Sequence, residues 1–286
     1  MNVEPYQIVS CVGCGLSFLS PRPDDDEFTK LYGKSYFTDH LESSNLLGAS
    51  EDVRERLIAN KAFLLDYVLA EQSIGTLLEI GCATGYFLEL ARRSGFSIKG
   101  IEFSNDAAES AHQLTGAPIH IGDVASAIAS GFVRDAEFDA IMMSHVLEHV
   151  KSPKQELNLI RRILKPGGIA VIRLPDFGSW NARLAGPAWE GLRLPFHLYH
   201  FTPKTLRRYF DAADLEVVQF DYWIDGSIAA PLLKLRRQLV GSGGPQPTNA
   251  GDVSAPVRTV PTHPGLLKML LYPFRGRTMT FVVRKA

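Results

Sequence analysis

Three acids, two glycines and four histidines carry the chemistry legible in this chain. The run Leu77 to Phe87, LLEIGCATGYF, sets Glu79 at the end of an apolar strand, then Gly81 and Gly85 in the turn that opens a helix. Glycine lets the backbone approach a ligand closely, and the free N–H groups and positive end of the helix attract an anion, so the turn suits a nucleotide-like cofactor. The spacing is ExGxxxG. Dinucleotide sites favour GxGxxG followed by an acid about 20 residues later. Glu102 ends the next strand, where a carboxylate can accept from both ribose hydroxyls, and Asp123 ends the third, placed to accept from an adenine amino group. Histidine, with an ordinary pKa of about 6.5, is the side chain best suited to take a proton at neutral pH. His145 and His149 follow the fourth strand, and HLYHFT supplies His197, Tyr199 and His200.

The elements that must hold these residues alternate. From Leu77 onward strand-like runs exchange with helix-like runs, the pattern of a mostly parallel sheet covered on both faces. TLLEI leads to a helix from Tyr86 stopped at Gly95; SIKGIEF leads to one from Ser104 to Gly116; PIHIG, a short helix and FDAIMMS follow. The next helix has Ser152 as its cap, Pro153 at its first position, Gln155 completing a capping box, and Pro166-Gly167-Gly168 at its end. IAVIRL closes five strands, and LEVVQFDYW and TMTFVVRK add two. Pro175 to Thr202 is an irregular stretch bearing Trp180, Trp189 and Phe196, long enough for an acceptor lid. Trp180, Trp189, Tyr199 and His200 are its expected acceptor contacts.

Taken together, ExGxxxG, Glu102, Asp123, HVLEHV and LKPGG resemble the cofactor motifs of class I S-adenosylmethionine (SAM)-dependent methyltransferases, from about Ile74 to Pro175. The resemblance implies a Rossmann-like α/β fold of seven strands with the last antiparallel, and SAM as cofactor. It implies Glu79, Gly81 and Gly85 around the methionine moiety, Glu102 on the ribose and Asp123 near adenine. Cys82, Phe103, Val124, Ser144 and His145 are expected on the same wall, with Cys82 a small filler without reactivity. His197, with His149 second, is the expected general base. PFHLYHFT resembles the segment that carries a histidine base in sugar C-methyltransferases, but the acid and tyrosine found just upstream there are replaced by Phe196 and by Leu194 or Pro195. That departure favours transfer to oxygen or nitrogen. The expected acceptor is a small molecule with a hydroxyl on a sugar, polyketide or aromatic ring. C- or N-methylation is the alternative among enzymes, and a SAM-binding subunit without turnover is the alternative outside them.

At 286 residues the chain has room for a domain over 73–286 and an appendage over 1–72. The appendage contains a helix over about 51–70. Cys11 and Cys14 resemble half of a zinc ribbon; with neither His40 nor Cys82 at ribbon spacing, a metal-free relic is expected and no metal site. Residues 224–277 form an insertion whose Gly/Pro-rich middle, about 241–264, is expected to be a mobile loop. Its flanks APLLKLRRQLV and PGLLKMLLYPF suit a helical flap or a homodimer contact better than a membrane surface. Thirty basic against 31 acidic residues give no field for nucleic acid, and neither a signal peptide nor a spanning run is legible, so a soluble cytoplasmic protein is expected.

Overall fold

The computed structural model describes residues 2–3, 6–24, 26–27, 50–223 and 278–286. The expected insertion and its loop and His40 lie outside the described residues.

An N-terminal hairpin comes first: β1 (Asn2–Val3), β2 (Tyr6–Ser10) and β3 (Ser17–Ser20). The turn between β2 and β3 holds Cys11 and Cys14 as free thiols and is closed by Gly15 N–H donating to Cys11 O at 2.8 Å. The helix expected over 51–70 is two: α1 (Glu51–Ala59) and α2 (Ala62–Leu69). The break has a packing cause. α1 is mostly solvated and buries only Ile58, whereas α2 buries Leu64, Leu65, Tyr67 and Val68 against the sheet.

The chain then alternates through β4 (Thr76–Ile80), α3 (Tyr86–Arg93), β5 (Ser97–Glu102), α4 (Asn105–Thr115), β6 (Ile119–Ile121), α5 (Val124–Ala129), β7 (Phe138–Ser144), α6 (Pro153–Ile163) and β8 (Leu164–Pro175). After the short α7 (Trp180–Ala185) and two 3-10 turns come β9 (Tyr199–His200), α8 (Pro203–Asp211), β10 (Leu215–Trp223) and β11 (Thr278–Lys285). Two local expectations fail. Ser152 precedes α6 without a side-chain cap: its backbone (φ −136°, ψ 84°) lies outside the extended geometry of the Ser104 and Asp123 caps, and the expected box with Gln155 does not form. Pro166-Gly167-Gly168 do not separate α6 from β8: the strand starts at Leu164, and Lys165–Gly168 form a bulge between the Phe138–Leu164 and Ala140–Ile169 pairs.

Seven strands form one sheet in the order β10-β11-β8-β7-β4-β5-β6. β4 runs parallel to β5 and β7, and β11 is antiparallel to both β8 and β10. Alternate residues feed opposite cores: Leu77, Ala140, Met142 and Val171 pack with α2 and α3, while Leu78, Ile141, Met143 and Ile172 pack with α6 and α8. Strand order reverses between β4 and β7, which opens a crevice beyond their carboxyl ends. The hairpin reaches that crevice too, because β3 pairs with β9, Ser17 opposite His200, in a second sheet. Among the described residues no helix is long and apolar enough to cross a membrane.

Candidate active site

A cavity of about 830 Å³ lies beyond the carboxyl ends of β4, β5 and β7. On the side of β4 to β6, Gly81, Glu102, Phe103 and Asp123 line it. On the side of β7 to β9 the walls are Ser144, His145, His149, Trp189 and His197.

The first side is held by backbone. Gly81 (φ +71°), Ala83 (φ +46°) and Gly85 (φ +81°) are left-handed, so the chain doubles back before α3. A Cβ on Gly81 would stand 2.3 Å from Val146 Cγ2, so only glycine keeps this wall open. Buried Glu102 ties the turn to the next strand: Oε2 accepts from Ala83 N–H (2.8 Å) and Oε1 from Phe103 (2.8 Å) and Ser104 (3.0 Å). Burial raises its pKa, and the three N–H groups oppose that rise. Asp123 caps α5, its Oδ1 accepting from Ser126 N–H at 2.8 Å. These groups fit a ribose and adenine: a fixed carboxylate at the cavity wall and an open cradle where a side chain would intrude.

Several expected contacts lie elsewhere. Glu79 is off the wall, buried, its pKa pushed up to about 8 by burial and by Glu102 against the pull of Lys61; its Oε2 has no hydrogen bond. Cys82 points into the core beneath the turn, Gly85 packs against Ala111, and Val124 is fully buried under α5. Trp180 is 48% exposed and outside the cavity. Tyr199 faces the N-terminal hairpin, its hydroxyl donating to Lys151 O at 2.9 Å with the Arg22 guanidinium 4.9 Å from its ring. His200 is buried behind His197, the two ring centroids 6.4 Å apart. Neither lines the cavity; as neighbours in β9, which pairs with β3, their side chains leave on opposite faces of that strand.

The second side is built of side chains. His145 sits at φ +58° after β7, its N–H donating to Arg173 O at 2.7 Å. Arg173 Nη1 lies 2.7 Å from His145 Nε2 and can only donate, so Nε2 accepts and Nδ1–H points at Glu148 Oε1, 3.4 Å away. His149 Nδ1 meets Phe196 O at 3.1 Å and His197 Nδ1 meets Gly191 O at 2.8 Å. A carbonyl only accepts, so both rings carry their protons on Nδ1 and their lone pairs on Nε2. The two rings meet edge to face, centroids 4.6 Å apart. Burial lowers both pKa values, that of His149 to about 3, with Glu148 pulling each upward.

Glu148 between them is the residue that sequence reasoning passed over, although it stands in HVLEHV beside His149. It is 1% exposed, and neither carboxylate oxygen makes a hydrogen bond of good geometry. Burial works against its ionisation, but the imidazoles of His145, His149 and His197 hold its pKa near 2. One donor atom each from Glu148, His149 and His197 lie within 4.8 Å of one another, a convergence that a proton or a small cation could bridge. Lys151, Glu156 and Arg193 also line the cavity and carried no sequence signal beyond polarity, and Gln155, expected only in a capping box, lines it with them.

A family model described as a methyltransferase domain matches residues 49–220. Ubiquinone biosynthesis O-methyltransferases are similar over shorter spans: the mitochondrial protein of Dictyostelium discoideum is 32% identical over 29% of this chain and 28% of its own. That of Paraburkholderia phytofirmans is 27% identical over 56% of this chain and 70% of its own. The chain thus spans 28% to 40% of the length of the first three curated relatives it matches. Among solved structures, a SAM-dependent methyltransferase from Archaeoglobus fulgidus aligns with TM-score 0.56 at 18% identity over 86% of this chain and 99% of that one. One from Thermotoga maritima described as a possible histamine N-methyltransferase aligns with TM-score 0.52 at 19% identity, over 88% of this chain and all of that one. At these identities the likeness is one of fold.

Proposed function

The chain belongs to the methyltransferase-domain family, whose cofactor is S-adenosylmethionine, and from that premise we propose that it methylates a hydroxyl of a small-molecule acceptor. One observation carries the reading: a single cavity has a backbone-locked carboxylate on one wall and two imidazoles with Nε2 lone pairs on the other. Bound in this cavity, S-adenosylmethionine supplies an electrophilic methyl group. Glu102 would hold the ribose hydroxyls, Gly81 would leave room for the methionine end, and Asp123 would use its second oxygen toward adenine. Trp189, buried at the wall, supplies a flat apolar surface against which a sugar or aryl ring can lie. His197 takes the acceptor proton, with His149 as the second choice. The histidines favour oxygen, since an amine that arrives unprotonated has its lone pair already available. The names of the curated O-methyltransferase relatives agree with this choice.

Calorimetric titration of the purified chain with SAM, S-adenosylhomocysteine and NAD tests the premise. Micromolar binding of the first two without the third is expected, and absence of SAM binding would overturn the reading. Hydroxylated sugars and phenols would then be screened for methyl transfer, with amines and carbon acids in parallel. His197→Ala should keep SAM affinity and lower turnover by about 100-fold or more. Binding without turnover on any acceptor would instead favour a subunit that holds SAM and does no chemistry.

A further inference from the structure

The segment from Trp189 to His197 supplies the acceptor wall with three different groups. Trp189 gives a flat apolar face, and Gly191 is what lets the indole lie there, since a Cβ at that residue would collide with the ring. His197 ends the segment, its Nδ1 meeting Gly191 O at 2.8 Å. Between them stands Arg193, a cation on the same lining. Its backbone is left-handed (φ +36°, ψ 49°), and its carbonyl accepts from Phe196 and His197 N–H at 2.8 and 3.1 Å, so the turn that sets His197 also carries the guanidinium. A left-handed backbone is cheap for glycine or asparagine and costly for a long side chain. Among the described residues the guanidinium makes no hydrogen bond and no ion pair that would offset the cost. Its charge does reach the His149 and His197 rings, which places it at the reacting end of the cavity.

We infer that Arg193 anchors a carboxylate of the acceptor, so that the substrate class is a hydroxylated ring acid rather than a neutral alcohol. This rests on the reading of the cavity as a methyl-transfer site with His197 at the acceptor hydroxyl. A guanidinium presents two parallel N–H donors in one plane, which match the two oxygens of a carboxylate. A ring lying on Trp189, with its carboxylate on Arg193 and its hydroxyl at His197, is fixed at three points by one segment, and fixed orientation is what an in-line displacement needs. Charge selects carboxylate over phosphate. The lining sets Lys151 and Arg193 against Glu156 and Glu190, with buried Glu148 beside the histidines, so a single negative charge finds its partner whereas a second would meet acids.

The test uses fragments on the full chain loaded with S-adenosylhomocysteine. Calorimetry at low salt compares the three hydroxybenzoate isomers with the matching hydroxybenzamides and with phenyl phosphate, in the wild type and in Arg193→Gln, Arg193→Lys and Arg193→Gly. At least one hydroxybenzoate should bind about tenfold or more tighter than its amide, the scale of a charge-assisted bidentate pair. Arg193→Gln and Arg193→Gly should erase that preference, and Arg193→Lys, a point charge without the fork, should keep only part of it. Thermal melts separate binding from folding: Arg193→Gly relieves the left-handed residue and should melt no lower than the wild type. A preference that survives Arg193→Gln, an amide that binds as well as its acid, or no binding of any fragment overturns the inference. Tighter binding of phenyl phosphate overturns the carboxylate class. A glycine variant that melts well below the wild type overturns it too, because the side chain would then serve the fold. Failure of the wild type to bind S-adenosylhomocysteine strikes the proposed function instead, and the same titrations on the unloaded chain still read Arg193.

Discussion

The two walls of the cavity solve opposite problems. Around the ExGxxxG turn, buried Glu102 accepts three backbone hydrogen bonds and Asp123 caps a helix. Across the cavity, the Glu148 oxygens, Trp189 Nε1 and, behind His197, His200 Nε2 are buried without a hydrogen-bond partner among the described residues; on the first side Glu79 Oε2, off the wall, shares that state. A wall whose polar groups are paired keeps its shape whether or not a ligand is present; one with buried polar groups unpaired holds them in reserve for what binds or for a transferred proton. The difference suits a site where one ligand is constant and the other must be activated.

The comparison breaks most severely at Gly81. Gly81→Ala would force a Cβ into a left-handed residue and against Val146, at a cost of about 2–4 kcal/mol from strain and overpacking together. Thermal melts should show the loss, and SAM affinity should fall by 100-fold or more; a variant that binds normally would show that the cradle is not where the cofactor lies. Glu102→Ala is next. It removes the ribose acceptor and also strands the N–H groups of Ala83, Phe103 and Ser104, so stability should drop by about 2–3 kcal/mol while SAM affinity falls at least tenfold. Normal SAM affinity in a folded Glu102→Ala protein would refute the ribose role.

Legibility in the sequence follows the same division. Glycine spacing and strand-end acids are local signals, so the turn, Glu102, Asp123 and the succession of seven strands are all readable from residue type and spacing. Glu79 shows the limit of such signals: it has the right spacing, but it is buried off the cavity wall, where the charge of Lys61, from a helix joint without a sequence mark, acts on it. The acceptor wall is assembled from segments far apart in the chain. Tyr199 and His200 lie off the cavity in β9, which pairs with the N-terminal hairpin, a contact no periodicity announces. Glu148 adjoins His149, yet an acid between histidines reads as solvated until its burial is known.

Glu156 sharpens the comparison as an exception on the cavity wall. Burial, helped by the charge of Asp123, pushes its pKa up to about 7 from an ordinary 4.5. The native chain therefore keeps a proton that the unfolded chain has released, and stability falls as pH rises from about 4.5 to 7, then levels off. Glu156→Gln should match the wild type near pH 4 and exceed it at pH 8 by at most about 3 kcal/mol. Denaturant unfolding at the two pH values checks the sign. Equal stability at pH 8 would mean that Glu156 ionises at no cost and that this wall has no strained acid.

The smallest effect tests whether the acceptor wall depends on the hairpin behind it. Tyr199 donates to Lys151 O and stacks on Phe201, joining the segment that carries His197 to the turn that carries Glu148. Tyr199→Phe keeps the ring and deletes one hydrogen bond, so a loss of about 1 kcal/mol is expected, with SAM affinity unchanged. If Tyr199 serves only as an anchor, turnover on any acceptor should stay within about threefold, since the Leu198 and Tyr199 N–H bonds to Glu148 O still hold the segment. A tenfold or larger fall in turnover at unchanged stability would return the hydroxyl to the acceptor site, and with it the sequence expectation that the structure displaced.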